Sequence, residues 1–216
     1  MSTTSPTGAA QPTSARRRET RARLVDAAAQ VIAEAGVMGA SVEQICETAG
    51  FTRGAFYSNF DTKDELWSAV LRDFFESHLL AARRMTAVIP DLPDDADRET
   101  IAGFVDAAIE HFIEIQPDDP HWPIVNTELH LHALRTPEFR PAYISIQREI
   151  EQQLIDLLAP AFESRGLRLS MPLAQAISLI TAVHNAAQLA SGLQEQPHPS
   201  VTAANLKALL HSLLLP

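Results

Sequence analysis

The stretch from Ser41 to Leu66, SVEQICETAGFTRGAFYSNFDTKDEL, constrains this chain most, because helix starts and a glycine stop crowd together there. Ser41-x-x-Gln44 has the form of a capping box, a side-chain oxygen at a helix start answered three residues on by a glutamine. The helix predicted from about Val42 carries Val42, Ile45, Cys46 and Ala49 at i, i+3, i+4 and i+7, which buries one stripe and leaves Glu43 and Glu47 in water. Gly50 stops it. Thr52 is suited to cap a next helix, on which Arg53 and Tyr57 share a face beside Gly54 while Phe56 turns away. Thr62-x-x-Glu65 reads as a second capping box, with Lys63 exposed in the first turn that follows.

Glycine inside a short helix costs about 1 kcal/mol relative to alanine, so Gly54 implies something that must approach the backbone closely. Arg53, Tyr57, Ser58 and Asn59 combine one cation with neutral hydrogen-bonding groups, the mixture that holds phosphates and touches base edges in a major groove. Arg16, Arg17, Arg18, Arg21 and Arg23 add a basic patch just upstream. The net charge of −10 does not oppose this. Up to Phe60 there are six basic and five acidic residues, whereas the remainder holds eleven against twenty-two, so the acid lies in the body and would keep DNA on one face.

The run Gly50 to Leu66, with its core TRGAFYSNFDTKDEL, resembles the helix-turn-helix and following helix start of the tetracycline-repressor (TetR) family of bacterial transcription regulators. The similarity covers roughly residues 18 to 70. It implies that Thr52, Arg53, Gly54, Tyr57, Asn59 and Lys63 contact DNA, and that Phe56 and Phe60 are packing aromatics. Arg17, Arg18, Ser41, Ala55 and Ser58 complete the expected DNA-binding set. Ser58 stands where the family often has a second aromatic and Asn59 where it often has histidine, so the operator sequence does not transfer from a relative.

Ala and Leu dominate, glycine is scarce and strand-like alternation is absent, so the expected fold is all-α, with about nine helices. The expected division is a disordered arm over 1–15, a three-helix DNA-binding domain over 16–62, and a ligand-binding and dimerisation body over 63–216. The arm is rich in Ser, Thr, Pro, Ala and Gly and lacks the apolar run of a signal peptide or membrane span. A single cysteine, Cys46, excludes an internal disulfide and suits a reducing cytoplasm.

Helix 1 is predicted over Arg17 to Ala35, with Leu24, Ala28, Val31, Ile32 and Ala35 facing inwards, and Gly36 stopping it. A long fourth helix begins near residue 64 and links head to body, carrying Leu66, Trp67, Val70, Leu71, Phe74, Phe75 and His78. After a proline- and acid-rich break over 90–97, a fifth helix runs to about Ile115. Asp119 with Pro120, and Thr136 with Pro137, read as starts of a sixth helix to about Leu134 and a seventh over Glu138 to Leu158, kinked or ended by Pro160. A further turn over Ala161 to Arg165 is expected before Gly166.

The last two helices, about Met171 to Leu193 and Ser200 to Leu214, are apolar around much of their circumference. A self-complementary four-helix interface between two copies through Ile177, Ile180, Val183, Ala187, Leu206, Leu209, Leu210 and Leu213 is therefore expected, and the family resemblance also places dimerisation there. Paired heads would read a palindromic operator in double-stranded DNA.

Phe74, His78, Phe104, Ala108, His111, Phe112, Trp122, Asn126, Leu129 and Asn185 are the candidate lining for an uncharged, mostly hydrophobic effector of unknown identity. His130 and His132 point to different helix faces, and no HExxH, CxxC, Gly-rich phosphate loop or GxSxG is present, so neither metal, cofactor nor enzyme is expected. The chain reads as a homodimeric, cytoplasmic, sequence-specific DNA-binding regulator, most simply a repressor. A ligand-binding or protein-interaction module whose head does not read DNA is the alternative.

Overall fold

The computed structural model describes residues 12–88, 92–93, 96–115, 119–193 and 199–215. Residues 1–11 of the expected arm, and parts of the 90–97 break and of the Pro117–Pro120 loop, lie outside them. Among the described residues there are nine helices and no strand beyond one isolated bridge between Leu169 and Leu214. They are α1 Pro12–Gly39, α2 Val42–Ala49, α3 Arg53–Tyr57, α4 Lys63–Val88, α5 Arg98–Glu114, α6 Trp122–Arg135, α7 Arg140–Ser164, α8 Leu173–Gly192 and α9 Pro199–Leu213. Packing divides the chain into two compact units, one ending at Val70 and the other beginning at Leu71. The division falls within α4, eight residues beyond the boundary expected at 62/63, because Leu66, Trp67 and Val70 are themselves buried.

In the first unit the local signals act as their chemistry requires. α1 begins at Pro12, ahead of the expected Arg17, and loses helical geometry at Gly36, whose φ of 71° suits glycine. Leu24, Ala28, Val31 and Ile32 are buried, but Ala35, expected inside, is exposed one residue before that break. Ser41 and Gln44 make both halves of the capping box on α2. Gly50 closes α2 in the left-handed region at φ 70°, its N–H bonded to the carbonyls of Cys46 and Glu47.

Thr52 caps α3 by accepting the Ala55 N–H at 3.3 Å. Five residues cannot hold a helix alone, so α3 depends on what it buries. Phe56 is fully buried 5.9 Å from the equally buried Phe60, and its removal from water supplies about 1.5–3 kcal/mol.

In the second unit α5 and α8 pack on α9, α7 packs on α8, and α6 packs on both α7 and α8. Val105, Ile109 and Leu206 form a buried cluster with Phe104, Ile180, Val183 and Leu210 against it. His211 Nε2 meets Asp106 Oδ1 at 2.7 Å, and the Lys207 ammonium pairs with Glu110, tying α9 to α5. That neighbour raises the pKa of Lys207, while the Thr100 hydrogen bonds at the start of α5 lower that of Asp97, its cap.

Two helix starts differ from the sequence reading. α6 begins at Trp122, not Pro120, because Asp119 accepts the His121 N–H and caps a turn instead. α7 begins at Arg140, after a turn in which Thr136 O accepts the amides of Phe139 and Arg140. It also runs through Pro160 to Ser164 without ending there, the turn beyond being tied by Arg165 Nη1 to Ala161 O at 3.2 Å. Gly166, at φ 64°, follows.

Replacing Gly50 tests this construction. A Cβ there would meet Arg23 Nη2 at 3.2 Å on a left-handed backbone, so Gly50→Ala is expected to lower stability by about 1–2 kcal/mol in urea melts. Gly54→Ala, where a Cβ would meet nothing nearer than Thr52 Oγ1 at 3.7 Å, should raise stability by up to about 1 kcal/mol in the same melts.

Candidate functional site

The outward side of α3 carries Arg53, with 61% of its side chain exposed, the exposed Gly54, and Tyr57, 51% exposed. Nothing inside the chain demands glycine at 54, since a Cβ there has only ordinary contacts. Thr52 and Ser58 flank this face with their hydroxyls engaged on α3 itself, Ser58 Oγ donating to Ala55 O at 2.9 Å. Arg53 reaches back to α2, where Glu43 Oε1 lies 2.6 Å away, a residue the sequence reading left simply in water. Tyr57 first, then Glu43, raise the pKa of Arg53, which stays cationic.

Three expected members of the face are placed differently. Asn59 is 7% exposed, its Nδ2 donating to Ala55 O at 2.8 Å, so its side chain is turned into the fold and not presented with Tyr57. Lys63, expected to be exposed, is half-buried, donates to Ala40 O at 3.1 Å and lies 5.9 Å from the Trp67 ring. The Ser41 hydroxyl is engaged in its own capping box. Glu65 completes only half of the second box. Its N–H bonds Thr62 Oγ1, but its carboxylate accepts from the Asp61 N–H and from Arg21.

The arginine run turns out to be partly architectural. Arg21 donates to Asn59 O at 2.6 Å and to Glu65 Oε1 at 3.2 Å, with its guanidinium 4.0 Å from the Phe60 ring centroid. Arg23 donates to Ala49 O and lies over Phe51, and Arg17 donates to Ser58 O at 3.2 Å. Arg16 and Arg18 are exposed. Cys46 is a packing residue, its thiol pKa raised first by burial.

In the second unit a half-open pocket of about 170 Å³ between α6 and α8 is lined by Trp122, Asn126, Thr127, Asn185, Gln188 and Leu189 among others, with Asn185 and Leu189 exposed at its rim. Three expected lining residues, Trp122, Asn126 and Asn185, are therefore brought together, and Phe74 stacks on Trp122 at an interplanar angle of 9°. His78 packs against Phe74, and Phe112 lies 6.4 Å from His184. The remaining candidates are elsewhere. Phe104 packs in the α5–α9 cluster, Ala108 is half-buried on the same helix, Leu129 is sealed in the core, and His111 faces Glu114 at 4.0 Å. Gln188 was missed, although its place four residues after His184 on one helix face was a legible signal. Burial, with His78 adding to it, pushes the pKa of His184 down to about 4. On α7, burial raises that of Tyr143, which bonds His130 and Gln147.

The residues chosen from sequence for dimerisation face their own chain. Ile177, Ala187, Leu206 and Leu213 are buried, and Ile180, Val183 and Leu210 pack on the α5–α9 cluster, with Leu209 half-buried. The exposed side of α8 carries Leu179, Ala182, Ala186 and Leu189 instead. Among the described residues no group of three or more His, Cys, Asp or Glu could hold a metal ion, and no helix is long and apolar enough to cross a membrane.

Capped, glycine-separated short helices with an open polar face, ahead of a separate helical unit, define a helix-turn-helix regulator class. Residues 24–70 match the family described as bacterial regulatory proteins, tetR family. The HTH-type transcriptional regulator TtgW of Pseudomonas putida is 47% identical over 62 residues, which are 29% of this chain and 46% of that protein. The matched stretch spans less than half the length of the first curated relatives. The fatty acid degradation regulator FadR of Bacillus halodurans superposes with a TM-score of 0.69 at 17% identity, covering 94% of this chain and 97% of FadR. The multidrug binding protein EbrR, solved in complex with imidazole, superposes with a TM-score of 0.54 at 25% identity, covering 91% and 96%. Over residues 24–70 the chain matches the tetR family of bacterial regulatory proteins, and its fold is that of the solved regulators it superposes on.

Two measurements check these placements. Arg21→Ala should cost about 1–3 kcal/mol in a denaturant melt, from lost charged hydrogen bonds and stacking, while Arg53→Ala should cost less than about 1 kcal/mol. His184 is neutral in the fold and protonates more readily when unfolded, so its stability contribution is complete above pH 6.5 and is lost as pH falls towards 4. The loss should reach about 3 kcal/mol and be absent in His184→Gln, as read from urea melts between pH 7 and 4.

Proposed function

We propose that this chain is a homodimeric, cytoplasmic regulator that binds a palindromic operator through α3, represses by occupying it, and is released by a small hydrophobic molecule held in the second unit. One observation carries the reading. The side of α3 bearing Arg53, Gly54 and Tyr57 is open, while its opposite side is anchored by Phe56. Arg53 is the proposed base reader, since a guanidinium fork suits guanine in a major groove. Tyr57, Thr52, Ala55 and Ser58 contact backbone and groove walls around it, and Arg17 and Arg18 meet phosphates. Ser41 and Lys63 serve from the edge, and Asn59 acts by shaping the turn.

Dimerisation is assigned to the exposed side of α8, around Leu179 and Ala182. α8 carries no charged residue from Leu173 to Gly192, in a body otherwise strongly acidic, so two copies approach there with least repulsion. Two heads about 34–36 Å apart would then read successive half-sites. α4 continues unbroken from Lys63 to Val88, which supports a coupling in which the effector favours the pair whose heads are badly spaced.

In gel shifts against the chain's own upstream region, Arg53→Ala should relax sequence preference, and Tyr57→Phe should weaken binding without lowering the melting temperature. Uniform loss across sequences for Arg53→Ala would reduce it to a phosphate anchor. Sequence-independent binding by the intact protein would support a head that does not read DNA. Leu179→Glu should yield a monomer in sedimentation and abolish tight operator binding; a dimer unchanged by it would remove α8 from the interface.

A further inference from the structure

We propose that Glu43 is a specificity-determining residue: by occupying one edge of the Arg53 guanidinium, it turns that cation from an anchor for phosphates into a reader of neutral base edges. This rests on the operator reading of α3 and adds to it a residue from α2.

Two helices meet in this pair. Glu43 is the second residue of α2 and Arg53 the first of α3, and Glu43 Oε1 lies 2.6 Å from Arg53 Nη1. Stability does not account for the contact. The side chains are 58% and 61% exposed, and an ion pair in that much water contributes little to a fold. α2 and α3 pack on each other, and the apolar burial on them comes from Ile45, Cys46, Ala49 and Phe56. Glu43 also sets a negative charge in the first turn of α2, where the helix dipole favours one, but that duty requires no reach to Arg53.

What the carboxylate changes is the kind of acceptor Arg53 can serve. Glu43 and Tyr57 are its partners, and together they use only part of a planar fork of five N–H donors. A backbone phosphate that approaches this fork also approaches Glu43, and like-charge repulsion cancels much of the attraction. Guanine O6 and N7 are neutral, so they take the remaining N–H groups without that repulsion. The pairing also orders a long side chain before DNA arrives, so less rotamer freedom is lost on docking. Non-specific association is driven by neutralising phosphates, and here one cation is withheld from it. Binding to arbitrary sequence is weakened while binding to the right sequence is spared.

The test uses full-length wild type, Glu43→Gln and Glu47→Gln, and Arg53→Ala with and without Glu43→Gln. Two probes are titrated over a salt series by fluorescence anisotropy: a duplex enriched by the wild type from a randomised library, and the unselected pool. Glu43→Gln should bind the pool about fivefold more tightly, with log K falling more steeply against log salt by about 0.9. Its affinity for the selected duplex should change by less than about twofold, so the preference narrows. Glu47→Gln removes an equal charge one turn along α2 and should leave the preference as it is. With Arg53→Ala in place, Glu43→Gln should no longer alter it. An unchanged preference in Glu43→Gln, equal gains on both probes, or the same narrowing from Glu47→Gln or in the Arg53→Ala background would overturn the assignment. Loss of both probes together with the melting temperature would make the carboxylate structural and overturn it too. If the wild type enriches no sequence, the operator reading fails and this inference with it; enrichment with an unchanged preference in Glu43→Gln removes this inference alone.

Discussion

The first unit depends on one arginine. α3 is too short to persist by itself, and the turn after it has to be held while its outer side stays bare. Arg21, reaching across from α1, bonds the Asn59 carbonyl and the Glu65 carboxylate and covers the Phe60 ring, so one side chain fastens the α3–α4 turn by three contacts. With Phe56 and Phe60 buried beneath, the inward half of α3 is fully committed. Arg53, Gly54 and Tyr57 are left over, and their exposure follows from how firmly the other half is held.

Seen this way, the basic run divides by duty. Arg17, Arg21 and Arg23 each donate to a carbonyl of the α2–α4 region, and Arg21 and Arg23 also lay a planar guanidinium over an aromatic ring. Arg16 and Arg18 remain exposed and make no such contact to a carbonyl among the described residues. Glu43 sits against Arg53 on an otherwise weakly charged face, so the guanidinium is held in place across α2 and α3, and under the proposed reading a duplex would have to compete for it.

Much of the fold was legible because its signals are local. Ser41 with Gln44, Gly50 and Thr52 mark helix ends through groups within four residues, and all three act as their patterns imply. What was not legible was decided at a distance. Glu65 leaves its capping box because Arg21, 44 residues away, offers a charged donor. Lys63 turns to Ala40 O for the same kind of reason. Asp119 and Thr136 cap turns, so α6 and α7 start two residues late. On α8 and α9, apolar on several sides, periodicity alone could not say which side the chain keeps for itself. Ile180, Val183 and Leu206 went inward to the cluster with Val105 and Ile109 of α5, and Ile177 is buried too, leaving Leu179 and Leu189 outside. In the cavity Trp122, Asn126 and Asn185 were recognisable as an aromatic with polar neighbours, but Gln188 acquires its meaning only through His184.

The central claim is that the outer side of α3 lies in a groove of DNA. Placing a photoreactive benzoylphenylalanine at Tyr57, and separately at the exposed Leu134 of the second unit, and irradiating each with operator DNA, tests it most directly. Cross-links from position 57 to bases within each half-site, with none from position 134, are the expected result. Cross-links to DNA from 134 with none from 57 would contradict it.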